Sequence, residues 1–311
     1  MKEGWYDHHL GSAIRTWEIL PEATKQKSVF EIGPWNHAYM PCIDHQCTDS
    51  LKDTSMSTPL LWFDKVLRKE KVPEGEVRLY RIGADKWDIL KEFPYKSDNA
   101  LKFYLDSREV AGENKKQLLL NPSSVGGNAV FTYDPEDPLF SKGAESTFHS
   151  MSENGSHLQE GADYRPDVLT FISEPLTENV KVCGKIKAKL FVSSDCEDTA
   201  FSVKICEVFA DGEAYNVRGS ITTLAYRNDT PHRITYNPGE KVEIEINTWD
   251  IDWEFKAGSK IRLDISSSDF PQYSAHSNYP GVWALQEKTK KAHQTIFTGG
   301  DYSSYIVFPR F

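Results

Sequence analysis

The first twenty residues carry a helical repeat. Leu10, Ala13, Ile14, Trp17 and Leu20 recur at three- and four-residue intervals, which predicts an amphipathic helix over His8–Leu20 that Pro21 terminates. A short apolar run, Ser28–Ile32, follows and is closed by Gly33-Pro34, the pattern of a buried strand. A second helix is predicted over Ser57–Lys69: Ser57 or Thr58 can cap it, Pro59 suits its first turn, and Leu60, Leu61, Phe63, Val66 and Leu67 form its apolar side. Residues 1–75 therefore read helix, strand, loop, helix, an α/β rhythm.

Beyond Val72-Pro73-Glu74-Gly75 the helical repeat disappears. Runs rich in Val, Ile, Phe, Tyr and Thr alternate with Gly, Pro, Asn and Asp clusters, most clearly at 77–82, 101–105, 168–172, 180–192, 200–210, 214–224, 241–248, 260–266, 294–297 and 305–308. Strict alternation in Val242–Ile246 and Ile261–Ile265 gives those strands one buried and one wet face. Successive strands without helices between them predict two packed antiparallel sheets, a β-sandwich or jelly roll. The polar stretches 106–127 and 141–164 read as loops lying over it. The expected division is residues 1–75 and residues 76–311.

Composition removes several classes of function. Hydrophobic residues at 39% and aromatics at 12% supply a large core, which rules out global disorder. A net charge of −10 argues against nucleic acid or an anionic membrane as the main partner. No run approaches the ~18 apolar residues that a membrane span needs. Five cysteines, an odd count, do not suit a disulfide-stapled secreted scaffold, and the start MKEGWYDHHLG shows no signal peptide. A reducing, cytoplasmic setting is the expectation, provided that Met1 is the true start.

Few residues invite metal chemistry. Cys42, His45 and Cys47 fall within six residues, but structural zinc wants four ligands in spaced pairs and no second pair matches, so a solvent-facing loop is expected. The acidic pairs Asp195/Asp198 and Asp250/Asp252 sit in no calcium-loop pattern. Cys183, Cys196 and Cys206 read as buried thiols. Neither a metal nor a cofactor is expected.

Two short motifs carry more chemistry. Gly4-Trp5-Tyr6-Asp7 places a carboxylate where the chain turns into the first helix, and Gly33-Pro34-Trp35-Asn36-His37 places an imidazole just past the next strand, thirty residues on. An acid after one strand and a histidine after the following one match the last two members of the chain order Ser…Asp…His in an α/β-hydrolase. On the residues alone a plainer reading stays open, with Asp7 a helix cap and His37 a polar loop group.

These motifs, GWYD and IGPWNH, together with LLWFDKVLR, VRLYRIGADKW, YDPEDP, RPDVLTFISEPLTENVKVCGKIKAKLFVSSD and FKAGSKIRLDISSSDFPQYS, closely resemble the cocaine esterase/X-Pro dipeptidyl-peptidase family of serine hydrolases. The resemblance covers nearly the whole chain. It implies that residues 1–75 are an α/β remnant, the C-terminal end of an α/β-hydrolase domain, and that residues 76–311 are the family's all-β jelly-roll domain. It maps two triad members onto Asp7 and His37, and makes His9 a candidate substrate contact lining the acyl pocket. Trp5 and Trp35 are expected to pack beside their motifs.

The resemblance also implies a nucleophilic serine in a Gly-x-Ser-x-Gly elbow, and the 311 residues contain none. The Gly-Ser pairs lead to Ser12, Ser156, Ser220 and Ser259, each without the second glycine. The expected function is therefore a portion of a serine hydrolase acting on a small ester, amide or peptide, with its serine outside this chain and no activity alone. The alternative is a non-catalytic β-sandwich that only binds. Leu10, Ile14, Trp17, Leu20, Val29, Phe30 and Ile32 would then need cover, expected from an N-terminal hydrolase segment or a second copy of the chain.

Overall fold

The computed structural model describes residues 1–46, 57–95, 99–111, 115–145, 153–162 and 164–311, so Cys47 of the Cys42–Cys47 stretch lies outside the described residues. Strand β1 (Lys2–Tyr6) opens the chain, followed by helix α1 (Leu10–Ile19), the short α2 (Glu22–Lys25), β2 (Val29–Asn36), α3 (Ser57–Leu67), β3 (Glu76–Arg81) and β4 (Lys86–Leu90). The strands form one sheet in the order β1-β2-β3-β4, parallel from β1 to β3 and antiparallel between β3 and β4. Lys2–Tyr6 is a strand although its polar start and Gly4 give no strand signal; main-chain bonding to β2 overrides local propensity. The run at 77–82, which reads as the first strand of the sandwich, instead continues this sheet to β3.

The rest of the chain is mostly antiparallel β-structure. It comprises β5 (Ala100–Glu109), β6 (Lys116–Leu119), β7 (Gly127–Tyr133), β8 (Leu169–Ser173), β9 (Val180–Ser194), β10 (Ala200–Val208), β11 (Ala214–Thr223), β12 (Val242–Phe255), β13 (Lys260–Ser266), β14 (Ala292–Thr298) and β15 (Tyr305–Pro309). Hydrogen bonding runs in one path, β11-β10-β13-β8-β6-β5-β15-β9-β14-β7, with β12 paired to β9. Among the described residues β6 with β8 is its one parallel pairing. The end of β5 and all of β6 fall within 106–127, which reads as loop because four residues are too few to display an alternation. Within the stretch 141–164 the described residues around His157 lie over the sheet: His157 N–H donates to Asn216 Oδ1 at 2.8 Å and Gln159 N–H to the Ala214 carbonyl at 2.8 Å.

Apolar side chains of the first part find cover within the chain. Leu10, Ile14, Trp17, Phe30 and Ile32 are buried, and Leu20 packs against the same core. Cover for these side chains therefore comes from within the chain. Their neighbours include the β domain itself: the main chain of Ile82 exchanges bonds with Asp252 and Glu254 at 3.0 and 2.8 Å, and Trp249 lies against Gly11.

The junction is polar at its centre. Arg218 of β11 is fully buried, and its Nη2 donates to the carbonyl of Trp5 in β1 at 2.5 Å and to that of Asp250 in β12 at 2.8 Å, while its Nη1 pairs with Glu145. Tyr6 O–H donates to the Val217 carbonyl at 3.0 Å, and Arg81 Nε to Asp252 at 2.7 Å. Removing one member of a buried pair strands the other charge. Arg218→Ala is expected to lower stability by about 3–5 kcal/mol. Arg218→Ala/Glu145→Ala should recover part of that loss in urea unfolding.

Candidate active site

Adjacent parallel strands set the site's position. The β1/β2 register opposes Gly4 to Gly33 and Tyr6 to Asn36, so the next residues, Asp7 and His37, emerge side by side at the strands' carboxyl ends. Neither glycine has room for a side chain, Gly4 because the neighbouring strand comes close and Gly33 because the Trp35 ring of its own strand folds over it. A Cβ on Gly4 would meet the Trp35 carbonyl oxygen at 2.2 Å, and one on Gly33 would meet the Trp35 ring at 2.1 Å. Trp5 and Trp35 are buried beside the two motifs, and Trp5 Nε1 donates to the Tyr80 carbonyl at 2.7 Å.

His37 Nδ1 lies 3.0 Å from Asp7 Oδ2 and 3.2 Å from Oδ1. The imidazole is carried on a turn that Asn36 builds: its buried Oδ1 accepts the N–H groups of Ala38 at 3.0 Å and Met40 at 3.2 Å. Asp7 also closes its own turn, accepting the His9 N–H at 2.8 Å, so the plain structural role and the pairing role coexist in one side chain. Asp7 is buried, whereas the His37 side chain is 42% exposed. Within the described residues nothing bonds its Nε2.

Glu3 stands behind the pair and was not evident in the sequence, because its role depends on β1 being a strand whose alternate residues share a face. Burial first, then hydrogen bonding to and repulsion from Asp7, push its carboxyl up to about 8. Burial acts on Asp7 in the same sense, but hydrogen bonds from Glu3, the His9 backbone and His37 outweigh it and hold Asp7 below the usual carboxylate range. The opposite directions favour a Glu3 that keeps its proton beside an Asp7 that has lost its own.

His9 stands at the start of α1, exposed, its ring 5.1 Å from that of His37. His8 lies between them, with ring centroids 4.1 Å from His9 and 4.4 Å from His37. The four serines considered in the sequence are all engaged elsewhere. Ser12 bonds the His9 carbonyl, Ser156 the Asn216 carbonyl, Ser220 the Asn247 carbonyl and Ser259 Glu207. Cys42–His45 is a loop, but the expectation that it faces solvent is corrected: Cys42 and Ile43 are buried, and His45 sits among Phe209, Tyr215 and Trp253, where burial lowers its pKa to about 4.

Comparison with known proteins agrees with this architecture. The family model for the X-Pro dipeptidyl-peptidase C-terminal non-catalytic domain matches residues 70–307. The chain belongs to that family. The cocaine esterase of Rhodococcus sp. (strain MB1 Bresler) is 32% identical over 320 residues, covering 98% of this chain and 55% of the relative. An aminopeptidase from a marine sediment Thaumarchaeota archaeon superposes with a TM-score of 0.80 at 22% identity, over 99% of this chain and 54% of that one. A CocE/NonD family hydrolase from Staphylococcus aureus gives 0.68 at 16% identity, over 100% and 54%. The X-Pro dipeptidyl-peptidase C-terminal domain relationship thus carries the fold, and the chain spans about half the length of the relatives it matches.

Linkage fixes the sign of a pH effect. Between the ordinary carboxyl value of 4.5 and about 8, unfolding releases the Glu3 proton that the folded chain retains. Stability attributable to Glu3 is present below 4.5, falls as pH rises through that window, and levels off above 8. Glu3→Gln is expected to flatten the fall of the urea midpoint across this range; an unchanged slope would exclude Glu3 as its source.

Proposed function

We propose that this chain supplies the acid and the base of a Ser-His-Asp hydrolase whose serine comes from outside these 311 residues. The observation that supports the reading is the Asp7–His37 pair at the ends of neighbouring parallel strands, with Nδ1 held at 3.0 Å and Nε2 without a protein partner among the described residues. In that role His37 Nε2 takes the proton of the attacking serine hydroxyl and returns it to the leaving group. Asp7 fixes the tautomer and stabilises the imidazolium. His9, beside the His37 ring, is proposed to contact the acyl side of a small ester, amide or peptide.

An N-terminal hydrolase segment is the proposed partner. Two features suit it: β1 is an edge strand of the four-stranded sheet, and Leu60, Leu61, Phe63 and Leu67 of α3 are exposed. A second reading has its own support. The family model matched over residues 70–307 describes a non-catalytic domain, and Asp7 and His37 precede that stretch, so the β domain is read as a module that binds and positions.

The chain alone should take no label from a serine-directed fluorophosphonate and should hydrolyse an activated ester no faster than its His37→Ala variant. Joined to an upstream segment bearing a Gly-x-Ser-x-Gly elbow, it should hydrolyse the ester, and His37→Ala should then cost about 10⁴-fold or more in kcat. Turnover of the joined protein that ignores His37→Ala would leave the non-catalytic reading.

A further inference from the structure

We propose that His8, His9 and His37 form a binding site for one divalent transition-metal ion of the zinc class. One ring nitrogen from each lies within 4.8 Å of the other two, a grouping made by two elements distant in sequence. His8 and His9 lead into α1, while His37 follows β2, and the β1/β2 register brings them together. A tetrahedral ion with bonds of about 2.0–2.1 Å needs its nitrogens about 3.4 Å apart. His9 and His37 are exposed, so rotation of these two rings can close the difference.

Three features point to a cation rather than to a chance cluster of rings. Asp7 accepts from His37 Nδ1, which leaves Nε2 as the lone-pair nitrogen and reproduces the carboxylate–histidine pairing that orients metal ligands. His8 Nδ1 is shielded from solvent without a hydrogen-bond partner, the nearest Asp7 oxygen being 3.8 Å away. Soft-to-borderline imidazole donors select zinc, copper, nickel or cobalt over magnesium or calcium. With three ligands from protein, a fourth position is left for water.

The site itself stands independently of the hydrolase reading, but one consequence rests on it. The ion would occupy His37 Nε2, the nitrogen a base must keep free, so metal binding and proton transfer would exclude each other.

The test is calorimetric titration of the untagged, chelator-treated chain with Zn²⁺, alongside the visible ligand-field spectrum of its Co²⁺ form. One saturable ion per chain is expected. His9→Gln, an exposed substitution, should weaken binding by at least about tenfold, and Asp7→Asn by about 10–100-fold through its hold on His37. His293→Gln, remote and exposed, should change nothing. Circular dichroism and urea midpoints without metal establish that each variant is folded. Weak unsaturable binding, or equal affinity in wild type and His9→Gln, would overturn the site. Because the titration involves no serine, failure of the hydrolase reading leaves the result unaffected, and failure here leaves that reading open.

Discussion

A buried guanidinium, Arg218, stands at the centre of the contacts that tie the two sheets into one body. Arg218 reaches from β11 to the main chain of β1 and of β12 and neutralises Glu145, in an interior where an unpaired charge is costly. Its contact on β1 is the carbonyl of Trp5, two residues before Asp7. The carboxylate's position is therefore referenced to the β domain, not only to the small sheet that carries it. Tyr6, whose hydroxyl reaches the Val217 carbonyl and whose ring lies 5.0 Å from the Arg218 guanidinium, makes a second tie in the same place. A domain that holds a strand by main-chain carbonyls fixes position without specifying side chains.

At the strand ends the electrostatics are graded. Glu3, deep and disposed to keep its proton, backs an ionised Asp7, which in turn orients an exposed imidazole. Both carboxyls are buried, and the ring that would meet a reactant is exposed. This order lets the inner acid stabilise the middle one without adding a second negative charge. It also places the most adaptable group outermost.

Much of this was legible in the sequence because it rests on periodicity or on short motifs. The spacing of Leu10, Ile14 and Trp17 gives α1 to within two residues, and the alternation of β12 and β13 is plain. Asp7 and His37 stand out because each closes a glycine-bearing motif. What escaped depends on pairing with distant chain. Lys2–Tyr6 becomes a strand only through β2, Glu3 acquires meaning only once that strand exists, and β6 is held between β5 and β8 without a pattern of its own. His45 reads as solvent-facing because the aromatic rings around it come from β10, β11 and β12 or their flanks.

The Tyr6–Asn36 register has a consequence for how such a chain can change over time. The spacing of Asp7 and His37 is written in backbone pairing, so the residues between them, 8–36, need only return the strand to its place. Substitutions along the outer side of α1, or at positions 8 and 9, leave that pairing intact. The chain can therefore take new side chains at the rim of the cleft, at positions 8 and 9 included, without moving the acid–imidazole pair. The geometry of the pair is held by the sheet, and its surroundings are free to carry other side chains.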